Sequence, residues 1–495
     1  MPDIPDLSLF SRRDFLQQVG AFSAASLALW AGGCESCEQQ IANRPTRKNI
    51  QELWDANPSD PVITTYKNAV TAMKALPSSD PRSWVGQKNI HLNKCIHRNW
   101  LWLPWHRVYL VYFERICRKL TGDNNFALPY WNWNTHPAVP DPFWDTSSSL
   151  YDPQPGDPNQ TGRAITQTDQ ADPSIIGTAV LQNILNETSF NLFASGPPPT
   201  SDLHAGPDAT SGLEATPHNG IHGFVGGDMG SFSSPLDPVF YMHHNMCDCM
   251  WAHWNIDLNN ANTNDPAWTN FAITDFVDEN GNPVSVNAAV TVLYPLLTYQ
   301  FEPCTLTNGL TGQQKLQGKQ LEAFLRAGAP SKLEFGPRFE LRQSVTAEVG
   351  KPSTTAIKVD PAALANGLQG GPHTRLVLTV GDAQMPPKRD FYVRVFLNKP
   401  DASGDTSIDD PHFAGSFAFF FDESGMKGHA GPGMSGAPLT GFLVDVTPTL
   451  QKLNQAGSLT ASETQVSLVP VPYARREAAG EQLTLGRLEL AVARF

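Results

Sequence analysis

The chain has 495 residues, 40% of them hydrophobic and 17% charged, which is the make-up of a globular protein with about two or three domains. A formal net charge of −13 argues against electrostatic binding of nucleic acid or of anionic membrane surfaces. Seven cysteines scattered between positions 34 and 304 are too few for a disulfide scaffold, and their odd number leaves at least one thiol over.

Ser11-Arg12-Arg13-Asp14-Phe15-Leu16, an apolar run from Val19 to Ala31 and Gly32-Gly33-Cys34 follow one another in the order of an export signal. Residues 1–33 therefore read as a twin-arginine signal peptide of the bacterial kind. It predicts a periplasmic or secreted protein exported already folded, with lipid attachment at Cys34 as a variant of the same reading. The run is too short for a membrane span, and no other stretch is apolar enough for one.

A helix is predicted around Tyr66 to Ala75. From His91 to Glu114 the chain reads HLNKCIHRNWLWLPWHRVYLVYFE. Pro104 opens a helix whose apolar positions, Trp105, Val108, Tyr109, Tyr112, Phe113 and Ile116, recur at helical spacing. His106 lies in its first turn, with His97 and His91 upstream, and no histidine precedes His91. Residues 137–217 are rich in Pro, Asp, Ser and Thr and read as loops, with one helical patch near Ile176 to Leu185.

The stretch from Leu213 to Trp254 holds five of the thirteen histidines. Thr216-Pro217 reads as a helix N-cap followed by proline at the first helical position. His218 and His222, four residues apart, then share one helix face. Asp237-Pro238 repeats the start signal ahead of His243 and His244. A single histidine on an apolar face is usually a hydrogen-bonded core residue. Two clusters, each followed by an aromatic-rich helix, point instead to a metal site built from bundle helices.

At these residues a family resemblance enters. His97-x8-His106-Arg107, with Pro104-Trp105 before it and Glu114 after it, resembles the first copper motif of the tyrosinase and polyphenol oxidase family. Pro217-His218-Asn219-x2-His222 and Asp237-Pro238-x-Phe240-x3-His244-x3-Asp248 resemble the second. The match runs over about residues 85–255. It implies a binuclear type-3 copper centre with His91, His97 and His106 on copper A and His218, His222 and His244 on copper B. His243 is then a packed neighbour of His244. Cys95-Ile96-His97 resembles the Cys-x-His that carries a thioether in some members. Glu214 and Asn219 resemble the pair that holds a water to take the proton of an incoming phenol, and Phe232 resembles a gate over copper A.

The sequence departs from the family pattern at three places. Trp102 stands where phenylalanine is usual. Cys249 follows Asp248 where arginine is common, so an outer salt bridge is expected to be missing. The spacing from His91 to His97 is short.

Imidazole suits copper in both oxidation states, and two such metals deliver two electrons to dioxygen together. The resemblance thus implies an oxidoreductase that uses O2 to oxidise o-diphenols to o-quinones and hydroxylates monophenols beside the existing hydroxyl. Its partners would be O2 and a small phenolic or catecholic substrate, with no nucleic acid and no membrane span; a homo-oligomer is left open. A hemocyanin-like oxygen carrier and an o-aminophenol oxidase stay open as alternatives.

Beyond about residue 305 the pattern changes to short alternating segments: Lys332 to Gln343, Arg375 to Val380, Phe391 to Leu397, Phe413 to Phe421, Gly441 to Val446, Thr464 to Val469 and Leu483 to Val492. They predict an antiparallel β sandwich or barrel. Phe391-Tyr392-Val393-Arg394-Val395 and Phe413-Ala414-Gly415-Ser416-Phe417 resemble the C-terminal domain of plant-type polyphenol oxidases, which keeps those enzymes latent. The expected organisation is α+β: a signal peptide over 1–33, a mainly helical catalytic domain with a four-helix bundle holding two coppers over 45–305, a linker over 306–340, and a β domain over 341–495 that acts as a lid. The glycine-rich piece from Ser424 to Gly436 is read as a loop or cleavable segment, and Glu322 to Arg326 as a short helix in the linker.

Overall fold

The computed structural model describes residues 44–153, 161–198, 210–302, 333–384, 386, 388–420, 439–459 and 462–495. The signal peptide, the helix at 322–326 and the glycine-rich piece at 424–436 lie outside the described residues. The fold is α+β, and the chain forms two compact units, each made of segments distant in sequence. One unit takes in residues up to Cys95 with 101–161 and 233–330, and the other takes in 96–100, 162–232 and 331–495. Among the described residues no helix is long and apolar enough to cross a membrane.

In the first unit, four helices of ten residues or more are described: Pro61–Ala75, Trp84–Lys94, Trp102–Thr121 and Val239–Ala252. Their starts follow from local chemistry. Asp60 accepts from the Val62 amide with Pro61 in the first turn, Ser83 accepts from the Gly86 amide, and Asp237 accepts from the Val239 amide. The predicted start at Pro104 moves upstream to Trp102, and the predicted 66–75 helix extends back to Pro61. Gly122, in the left-handed conformation, ends the 102–121 helix by donating to the Arg118 carbonyl.

The 102–121 helix is buried along most of its length and packs against both the 61–75 and 239–252 helices. Phe113 stacks on Tyr241 with ring centroids 3.6 Å apart, and the Tyr66 hydroxyl donates to the Pro238 carbonyl at 2.7 Å. Burying side chains of this size stabilises the packing by roughly 2–3 kcal/mol each. The two helices that carry His106 and His244 are therefore fixed against each other by their aromatic faces.

The second unit is a β sandwich joined by the 162–232 segment. One sheet orders the strands Phe413–Phe417, Phe391–Leu397, Glu463–Pro472 and Ser353–Lys358, all antiparallel. The other orders Thr210–Ser211, Leu439–Asp445, Thr374–Gln384, Gln482–Leu485 and Val345–Glu348, with Arg487–Arg494 and Glu334–Leu341 added beside Thr374–Gln384. Leu376, Leu378 and Val380 from this sheet share one apolar core with Val393, Val395 and Leu468 from the first. The described strands close no barrel, so of the two predicted architectures the structure has the sandwich.

Three features differ from the sequence expectation. The predicted strand Leu483 to Val492 breaks at Gly486 into two strands that both pair with Thr374–Gln384 but take different second neighbours, Val345–Glu348 and Glu334–Leu341. The sheet gains one parallel edge, Thr210–Ser211 on Phe442 and Leu443, brought from the histidine-bearing half of the sequence. Finally, Pro217 is not at a helix start. The helical path begins before Glu214, and Pro217 sits inside a π turn, Glu214–His218, that runs into the helix Asn219–Val225. A proline inside an α-helix lacks a donor and clashes with the preceding turn, and the wider π turn accommodates it.

Candidate metal centre

In the first unit, His91 comes from the last turn of the 84–94 helix, His106 from the 102–121 helix and His244 from the 239–252 helix. All three are buried, and one ring nitrogen of each lies within 4.8 Å of the others. His106 and His244 stack at 4.3 Å between centroids, and His91 stands 5.6 Å from His106. The short His91–His97 spacing therefore does not take His91 away from the group. Phe240 meets His91 edge-on at 5.0 Å, and Trp105 meets His106 edge-on at 4.8 Å. The Nδ1 of His106 lies 2.8 Å from the Trp102 carbonyl. Nδ1–H donates there, which leaves the Nε2 lone pair for a metal. His243 is buried beside His244, and its ring lies 6.5 Å from that of Trp133.

In the second unit, His218 lies 5.4 Å from His97 and 4.7 Å from His222 between ring centroids. His222 Nδ1–H donates to the Met229 carbonyl at 2.6 Å, and His218 Nδ1–H donates to the Asn219 side-chain oxygen at 2.9 Å. Both contacts again fix the tautomer that exposes Nε2. The Asn219 amide donates in turn to the Ala418 carbonyl at 3.0 Å, so this residue joins a histidine to the β sandwich. Phe232 stacks on His97 at 5.9 Å.

Glu214 is fully buried one helical turn before His218. Its carboxyl accepts from the Arg98 amide and, at 2.7 Å, from the Ser195 hydroxyl. Burial pushes it up to about 8, against the opposing pull of those two hydrogen bonds.

Sequence reading did not find Phe420, whose ring stacks on His222 at 3.8 Å and meets His97 and His218 edge-on at 5.2 and 5.5 Å. It belongs to the run Phe417-Ala418-Phe419-Phe420, which reads as sandwich core and carries no signal of a metal site. Ser195 and Arg98 were missed for the same reason, since a serine in a loop and an arginine after a histidine say nothing of what they hold.

Beneath the first group lies a buried charge network. Arg47 donates to Glu114 at 3.0 Å, to Asn245 at 2.8 Å and to Asp248 at 3.1 Å, and its guanidinium lies 3.5 Å over the Tyr299 ring. Arg107 donates to the other Asp248 oxygen at 2.5 Å and lies 3.5 Å over Trp251. Cys249 can supply no salt bridge of its own, yet Asp248 is doubly paired. Two arginines reach Asp248 from other helices and segments, so no arginine is needed next to it.

Buried imidazoles that converge, with the outer nitrogens of His106, His218 and His222 on carbonyl oxygens, form a donor set that suits copper. Fold and histidines together agree with the type-3 copper centre that the sequence resemblance implies. Residues 65–207 and 145–257 match the tyrosinase family over its common central domain. The (+)-larreatricin hydroxylase of Larrea tridentata is 29% identical over 420 residues, covering 76% of this chain and 68% of that protein. The latent polyphenol oxidase of Prunus armeniaca is 33% identical over 291 residues, 50% of this chain and 47% of its own length. The tyrosinase HcTyr1 of Hahella sp. is 25% identical over 499 residues, 90% and 98% of the two chains.

Among solved structures, a recombinant latent aurone synthase (polyphenol oxidase) shares the fold with a TM-score of 0.65 at 23% identity, over 91% of this chain and 90% of that one. Latent apple tyrosinase does so with a TM-score of 0.60 at 22% identity, over 90% and 97%. The chain spans about half the length of the plant polyphenol oxidases it matches. Its central part thus matches the tyrosinase family, and the converging histidines are residues that could hold copper.

Proposed function

We propose that this chain is a phenol oxidase that uses dioxygen to convert o-diphenols to o-quinones, hydroxylates monophenols at the ortho position, and is latent until its β domain is displaced. The observation that carries the reading is the buried Glu214 carboxyl, one turn before His218, with Asn219 on the ring of that histidine. An oxygen carrier has no use for a proton acceptor at this place.

On this reading His91, His97 and His106 hold copper A, and His218, His222 and His244 hold copper B. When bound, the copper pair supplies the two-electron chemistry with dioxygen. The protein's own residues do the rest. Glu214 and Asn219 hold a water that takes the phenol proton, a general-base role for a carboxylate within one water of that proton. Because burial pushes Glu214 up to about 8, its ionised fraction grows as pH rises through that value, and monophenol hydroxylation should grow with it. Phe232, stacked on His97, narrows the approach as a gate. A thioether between Cys95 and His97 would hold that ring still.

Residues 45–305 would then form the catalytic domain, 306–340 a linker, and 341–495 the lid. The lid reading is supported by Phe420, which occupies the face of His222 that a substrate ring would need. The sequence of residues 1–33 supports export by the twin-arginine route.

The test is oxygen uptake by the copper-loaded full chain, with a monophenol and with its catechol. Phe420→Ala should raise catechol turnover at least about tenfold, and limited proteolysis beyond residue 340 should raise it similarly. No gain from either removes the lid. Reversible oxygen binding with no catechol turnover in any form removes the oxidase and leaves the carrier.

A further inference from the structure

Two residues reach the Glu214 carboxyl, and both are unusual in the same way. Oε1 accepts from the backbone amide of Arg98, and Oε2 accepts from the hydroxyl of Ser195 at 2.7 Å. Arg98 has φ +66° and Ser195 φ +71°. Six non-glycine residues in the described chain have positive φ, and two of them are the donors to this one carboxyl. Side chains with a Cβ avoid that region, and they stay in it where the surroundings hold them for a purpose.

The Trp100 amide donates to the Gly196 carbonyl at 2.9 Å, which braces the Arg98 and Ser195 segments together. The Ser211 amide donates to Ser195 Oγ at 3.2 Å. With that lone pair engaged, the hydroxyl proton is turned toward Glu214. Gly212, at φ +49°, brings the chain so close to the Leu192 and Phe193 carbonyls that a Cβ there would lie 2.3 and 2.4 Å from their oxygens. Ser195 itself has no exposed surface.

We propose that Ser195 is a positioning residue for monophenol hydroxylation: together with the Arg98 amide it holds both oxygens of Glu214, fixing where the carboxyl points and which oxygen lone pairs remain for water. The proposal rests on the role given to Glu214 above. The Ser195 hydroxyl donates to the charged form of the carboxyl and so favours ionisation, against burial. Without it, Glu214 stays protonated to higher pH and the base is in shorter supply near neutrality.

The test uses Ser195→Gly, which suits the left-handed backbone and loses only the hydroxymethyl group, and Ser195→Ala as a second variant. In the metal-free full chain, infrared titration follows the protonated carboxyl band that disappears in Glu214→Gln. The band should persist about one pH unit higher in both Ser195 variants. In copper-loaded protein the ratio of monophenol to diphenol kcat at pH 7 should fall about tenfold and recover at higher pH, with diphenol kcat changing far less. A band that titrates at the wild-type pH in both variants overturns the proposal, whatever the activities do. A shifted band with an unchanged kcat ratio overturns the role of Glu214 as the base, and with it any bearing of Ser195 on specificity.

Discussion

The two histidine groups are held by different means. His106 and His244 ride on helices joined by buried charge: Asp248 lies one turn after His244, Arg107 directly follows His106, and the two pair at 2.5 Å. Arg47 closes the network from a distant segment. His218 and His222 instead leave a π turn that contains a proline, and their outer nitrogens rest on Asn219 and the Met229 carbonyl. Here the sandwich supplies the neighbours, Ala418 to Asn219 and Phe420 to His222. One group is fixed by structure that serves no other end. The other is built against the segment that has to move if the enzyme is latent.

The largest effects come from removing the rings themselves. His106→Ala and His222→Ala should each lower bound copper from two ions per chain toward one and reduce catechol oxidation at least about 100-fold, as loss of metal-site groups does. Metal analysis and oxygen uptake check this, and a variant that keeps both ions takes its residue out of the ligand set. Next in size is the contrast in stability. Asp248→Ala leaves the buried Arg107 without its carboxylate and takes one of two from Arg47, and should cost about 3–5 kcal/mol, a fall in Tm of roughly 10 °C. Asn219→Ala, which removes one neutral residue's hydrogen bonds, should cost only about 1–2 kcal/mol. Equal losses in calorimetry would erase the distinction between a charge-braced group and a lightly held one.

Much of this was legible in the sequence because the metal site and the helices obey short-range rules. The i, i+4 pair His218 and His222, the Asp237-Pro238 start and the periodic apolar face after Pro104 each rest on residues within two turns of one another. The strands Phe391–Leu397 and Phe413–Phe417 were readable from alternation and turn residues alone. What was not legible depends on contacts far apart in the chain. Arg47 meets Asp248 across 201 positions, and Ala418 meets Asn219 across 199. No local pattern marks Arg47 as the partner that makes an arginine after Asp248 unnecessary. The misreading of Pro217 has a different cause. The dipeptide Thr216-Pro217 is a sound start signal, and it loses to a π turn that only the surrounding packing makes affordable.

The last predicted effect separates the units by pH. In the second unit, one guanidinium serves a buried and a partly buried carboxylate: Arg375 lies 3.1 Å from Glu187 and 3.5 Å from Asp445. Burial first, then the Asp445 charge, push Glu187 up to about 7, with Arg375 pulling the other way. A carboxyl raised in the folded state stabilises the fold fully below its ordinary value of 4.5, and that stability is lost as pH rises through about 7. The change is on the order of 2–3 kcal/mol. In the first unit the sign is reversed. Burial raises Glu114, but the Arg118 and Arg47 charges outweigh it and leave the group below its ordinary value. Its contribution is intact at neutral pH and is lost only in acid. From pH 5 to pH 8 the Tm of the second unit should therefore fall by several degrees while the first unit holds; Glu214, raised to about 8 in the same unit, adds to the fall, so Glu187→Gln should remove only part of it. A second unit equally stable at both pH values, or a Glu187→Gln chain that still loses the same amount, would show that Arg375 satisfies both carboxylates and that the two units answer to pH alike.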